Sequence, residues 1–124
     1  MLREIGAYLA TKSIGTVGTD IFLGLMPDQP DNCIALFEYA GSPPDLHWNG
    51  EYPGLQVRVR NKSYAAGRAK IEEVVTELHG AHELTLNGTR YLLIKARGSP
   101  EVLKRDNNNR VELFVNFEII KERD

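Results

Sequence analysis

Between Leu55 and Gly80 the hydrophobic period changes in mid-stretch, and this constrains the fold more than any other feature of the chain. Leu55, Val57 and Val59 alternate with Gln56, Arg58 and Arg60, the pattern of a strand with one buried face. From Tyr64 the apolar positions become Tyr64, Gly67, Ile71, Val74, Val75 and Leu78, a stripe along one side of a helix. Ser63 is placed to accept a hydrogen bond from the first free amides, as an N-cap does. Gly80 can take the left-handed conformation that closes a helix. Gly67 lies on the stripe and lets the backbone approach whatever the helix covers. The expected unit is strand, tight turn, and a helix over 64–79 lying back on a sheet.

The rest of the chain extends this unit into one domain over residues 1–124, long enough to bury a single core. Leu2, Ile5 and Leu9 predict a short helix from Leu2 to Lys12. Asp20–Met26 is apolar, short and followed by Pro27 and Pro30, which favours a strand. After a turn at Asp28–Asn32 comes a strand from Cys33 to Tyr39. Gly41–Gly54 then reads as a long irregular stretch with Pro43, Pro44, Pro53, Leu46, Trp48 and Tyr52. Such a loop is uncommon in a compact domain and often functional. Trp48 either packs over its own core or docks on another molecule, where tryptophan is a favoured anchor.

Asn87-Gly88 marks a hairpin that pairs Leu86 with Thr89 and Leu84 with Tyr91. The run Tyr91–Ile94 is apolar on both faces, so one face needs a cover besides the helix, from the N-terminal segment or another subunit. Val102 and Leu103 make a short irregular piece, and 105–110 a polar turn. In the last strand Val111, Leu113, Val115, Phe117 and Ile119 point one way, and Glu112, Phe114, Asn116, Glu118 and Ile120 the other. The expected class is α+β: a mostly antiparallel sheet with two helices on one face.

No residue pattern points to catalysis, a cofactor or a metal. Cys33 is the one cysteine and sits in an apolar strand, which favours a buried, inert thiol and excludes an internal disulfide. His79 and His82 flank Gly80 without further ligands nearby, and His47 lies in the long loop. Gly15-Thr-Val-Gly18 lacks the lysine of a phosphate loop. Glu72 and Glu73 suit a solvated helix face. The formal net charge of -2 offers no bulk attraction to nucleic acid or an anionic membrane. The N-terminus shows no secretory pattern, and no apolar run reaches the length of a membrane span.

The most suggestive charges are Arg58, Arg60, Lys62, Arg68 and Lys70, ahead of the acids Glu72, Glu73 and Glu77. This order opposes the helix dipole. It fits a nucleic-acid surface, an ion-paired contact between subunits, or a solvated face. Interleaved aromatics, apart from Tyr64, are missing.

Two segments resemble a known family: Pro53-Gly-Leu-Gln-Val-Arg-Val-Arg60 with Tyr64 and the helix ending Leu78-His79-Gly80, and Arg105-Asp-Asn-Asn-Asn-Arg-Val-Glu-Leu-Phe-Val-Asn-Phe117. Together they are similar to phage minor capsid proteins of the tail terminator (tail-completion, head-tail joining) type. The resemblance covers the last two-thirds of the chain. It implies a small α+β subunit of the virion, assembled in the host cytoplasm into a ring, usually a hexamer. Such a ring caps the tail tube, meets head-tail connector proteins and leaves a central channel for DNA. It implies no catalytic residue and no membrane. A ring needs a different patch on each side of the subunit. The expected seam sets Arg58, Arg60, Arg68 and Lys70 against Glu112 and Glu118, with Trp48 as a further contact. Two other classes stay open: a small nucleic-acid-binding module using the same basic residues, and a small enzyme or ligand binder with a site between the long loop and the sheet.

Overall fold

The computed structural model describes residues 1–123. The strand-turn-helix unit is its centre. β3 (Gly50–Asn61) leads through Ser63 into α2 (Tyr64–Leu78). Ser63 Oγ accepts from the Ala66 amide at 3.2 Å, and Gly80 takes φ +83° just after the helix. Gly67 faces the sheet so closely that a methyl there would stand 3.2 Å from the Leu113 side chain.

Around this unit lie α1 (Leu2–Thr11), β1 (Ile21–Leu23), β2 (Cys33–Ser42), β4 (His82–Leu86), β5 (Thr89–Ala96), β6 (Glu101–Arg105) and β7 (Val111–Glu122). The sheet order is β1-β2-β3-β7-β5-β4, and β6 pairs with β7 beside its first half. Only β1 and β2 run parallel among the described strands. The fold is α+β, as expected.

One apolar core lies between the sheet and both helices. Leu36, Leu55, Val57, Leu113, Phe117 and Ile94 are buried from the sheet, and Ile5, Leu9, Ile71, Val74 and Leu78 from the helices. The 111–119 alternation holds: Val111, Leu113, Val115, Phe117 and Ile119 are all buried. The hairpin has the predicted partners, with Asn87 and Gly88 both at positive φ.

Four segments differ from expectation. Strand structure in 20–26 stops at Leu23, because Gly24 at φ +80° turns the chain away. β2 continues past Tyr39 to Ser42, and β3 begins at Gly50, so the irregular stretch shrinks to 43–49. The reason is tertiary: Gly50 and Glu51 pair with Glu122 and Lys121 at the end of β7. Val102 and Leu103 lie in a strand, β6, although all five of its residues are exposed. Its order comes from pairing with β7 and has no pattern of its own. Leu92 and Leu93 stay partly exposed, and α1 packs in the same core as α2.

Candidate interaction surface

The face of the sheet away from the helices carries Phe37, Tyr39, Gln56, Arg58, Phe114, Asn116 and Glu118, because each of these alternates with a core residue. A ladder of side chains crosses it. Arg58 Nε donates to Gln56 Oε1 at 2.7 Å, and Gln56 Nε2 donates to Asn116 Oδ1 at 3.0 Å. The Arg58 guanidinium lies 4.8 Å from the centre of the Phe37 ring. Tyr39 lies over Gly54, where any side chain would collide with its ring, and its hydroxyl donates to the Phe117 carbonyl. Beside it is an open depression of about 470 Å³ lined by Tyr39, Tyr52, Gly54, Arg97 and Glu118. Glu118 is exposed and paired with Arg97 at 3.3 Å.

Arg60 is on the same side but turned inward, and only 4% exposed. Its Nη2 donates to the carbonyls of Pro27, Asp28 and Pro30, and its Nε to that of Asp31. Arg110 joins it. Its guanidinium bonds Asp28, Asp31 and Asp106 at 3.0, 3.2 and 2.8 Å. Burial works against the Arg110 charge, but the bonds to Asp28 and Asp106 raise its pKa. Asp106 is held below the usual carboxylate range by the Arg110 backbone amide and then by the Arg110 guanidinium. Asp31 is lowered too: desolvation opposes this, but Lys62 and Arg110 outweigh it. These two arginines tie the 27–31 loop to the sheet. The sequence reading missed Arg110, whose role depends on acids up to 82 residues away.

Glu112 is buried at 6% exposure, directly across β3–β7 from Arg60 in the same subunit. Its carboxylate lies 3.8 Å from Lys104 of β6. Arg68 and Lys70 are on α2, across the sheet from Arg58 and Arg60. Arg68 donates to the Pro100 carbonyl and pairs with Glu72. Lys70 donates to the Ile14 carbonyl and pairs with Glu73. The basic residues are therefore divided between two sides of the molecule and do not form one patch.

Trp48 belongs to a compact tip at 43–49. Its ring lies over Gly50, where a methyl would meet it at 2.0 Å, and its Nε1 donates to the Tyr52 hydroxyl at 3.0 Å. That hydroxyl donates to Asp45 Oδ2 at 2.6 Å. The Asp45 N–H donates to the Gly50 carbonyl at 3.0 Å, and the His47 amide donates to Asp45 Oδ1. The Tyr52 hydroxyl, then the His47 amide, hold Asp45 below the usual carboxylate range. Trp48 is thus half packed on its own loop, at 37% exposure, and it is Leu46 that projects, 94% exposed. Among the described residues no three His, Cys, Asp or Glu side chains converge as a metal site would require, and no helix is long and apolar enough to cross a membrane.

No curated protein matches the sequence. A solved structure of the virion of a native gene transfer agent particle contains a chain with the same fold. The two share 18% identity with a TM-score of 0.67, over 86% of this chain and 81% of that one. The sequence model described as bacteriophage tail terminator protein matches residues 8–123. That match spans both segments that carried the resemblance, the strand-helix unit and the last strand, and so the chain belongs to the bacteriophage tail terminator family, a family of structural phage proteins.

Proposed function

We propose that this protein is a ring-forming structural subunit, a minor capsid protein that closes the tail tube and joins it to the head-tail connector, with DNA passing through the ring. The observation that carries this reading is the family match over residues 8–123. The geometry supports it with surfaces suited to contact: a sheet face that no described helix covers, an exposed strand β6, and an ordered loop with a projecting leucine. Hexamer order is part of the proposal. Of the seam expected from sequence, Arg58, Glu118 and Trp48 keep exposed surface and remain candidates for contact. Arg60 and Glu112 are used inside the subunit, and Arg68 and Lys70 belong to the helical side.

The test is solution mass by light scattering, with negative-stain imaging of any large species, on the protein alone and mixed with tail tubes lacking their terminator. A closed ring of defined mass in either condition is the expected result. A monomer in both conditions overturns the reading. A salt-dependent gel shift by that monomer would point to a nucleic-acid module instead.

A further inference from the structure

β7 is a 12-residue strand, about 40 Å long, and different exposed apolar groups lie at its two ends. At its C-terminal end Glu122 pairs with Gly50, at the base of the 43–49 loop with Leu46 at the tip. At its N-terminal end it pairs with β6, which carries Val102 at 50% and Leu103 at 43% exposure. Val102 and Arg105 lie opposite Leu113 and Val111, the two core residues that Gly67 of α2 approaches, so they sit on the helical side of β6. Tyr64, 49% exposed, starts α2 at the same end.

Charge distinguishes the two ends. Asp45, next to Leu46, accepts from the Tyr52 hydroxyl and the His47 amide, and among the described residues no cation pairs with it. Arg105 at the end of β6 bonds Asn109, and among the described residues no carboxylate pairs with it. An acid without a counter-ion among the described residues therefore adjoins the projecting leucine, and a base without one adjoins the exposed apolar residues of β6. The loop is also pre-organised, since Asp45, Trp48, Gly50 and Tyr52 satisfy one another, and docking it costs little ordering.

We infer that the Leu46 loop of one subunit docks on the β6 end of a second copy, with Leu46 against Val102 and the first turn of α2, and Asp45 towards Arg105. This rests on the ring reading above and specifies its contact. Two unlike patches on one chain make a head-to-tail contact, which closes into a ring when the rotation per subunit allows. Trp48 then acts from behind, as the residue that holds Leu46 out.

The test is disulfide trapping with Leu46→Cys and Val102→Cys, under mild oxidation; Cys33 is buried and does not compete. A mixture of the two single variants should form a cross-linked dimer, and neither variant should do so alone. The double variant should give a ladder that ends at the ring number. Leu46→Asp should weaken association by roughly tenfold or more, as expected for one leucine left unburied. If light scattering shows the large species but no mixed dimer forms, the docking is wrong and the ring reading survives. If neither the large species nor the mixed dimer forms, alone or with tail tubes, both fail. A dimer from Leu46→Cys alone overturns the head-to-tail contact in favour of a symmetric one.

Discussion

Two of the chain's proline-bearing loops, 27–31 and 43–49, are held in opposite ways. The first makes its bonds at long range: Arg60 reaches it from 29–33 residues away and Arg110 from 79–82. Both arginines are almost fully buried. The second is tied mainly to itself, through side-chain bonds spanning 2–7 residues. One loop is therefore part of the folding unit, while the other bonds mainly within itself and is joined to the end of the sheet at its base, where Asn49 bonds Arg123. A loop's content of proline and polar residues does not reveal which kind it is; where its hydrogen bonds end does.

The largest expected effect tests the first loop. Arg60→Met removes four charged hydrogen bonds to carbonyls and should lower stability on the order of 3 kcal/mol, measured by urea unfolding. A near-neutral result would put this loop in the same class as the other. By the same reasoning Arg60→Glu breaks the fold before it can probe a seam between subunits.

Val115→Ala provides the scale. It truncates a buried core residue and should cost on the order of 1–3 kcal/mol by the same measurement. An unchanged midpoint would contradict the orientation of β7.

Acid should loosen both loops, with different signals. Asp31, Asp106 and Asp45 all have lowered pKa values in the fold. Their stabilising contribution is complete above the ordinary aspartate range, near pH 4, and is lost as pH falls through the lower folded values. The thermal midpoint should therefore hold down to about pH 4 and fall below it. Asp106→Asn should flatten that fall. Trp48 is the single tryptophan, so its fluorescence reports the second loop separately. Coincidence of the two acid transitions in Asp106→Asn would show that the loops are coupled after all.

The smallest expected effect on folding is that of Trp48→Ala. The ring covers Gly50 at the margin of the fold, so the monomer's thermal midpoint should change little while association weakens. A large loss of midpoint with normal association would assign Trp48 to the folding unit.

Much of the architecture was legible in the order of residues. The change of period after Arg60, the Ser63 cap, Gly80, Asn87-Gly88 and the alternation of 111–119 each use neighbours within a few positions, so physical rules of short range suffice to read them. β6 was not legible, because five exposed residues carry no burial pattern and only β7 makes them a strand. The extent of the long loop was not legible either, since Gly50 and Glu51 become strand by pairing with residues more than 65 positions later.

The candidate surface divides along the same line. Sequence alone determined that the chain has basic residues around β3 and α2 and an aromatic loop. Tertiary structure alone decided what each does: Arg60 is drawn inward to four carbonyls, Arg68 and Lys70 lie across the sheet from Arg58, and Trp48 is folded back so that Leu46 projects. The physical reason is that a side chain's role depends on which polar partners the fold brings within about 3 Å of it, and those partners are set by chain segments far away in sequence.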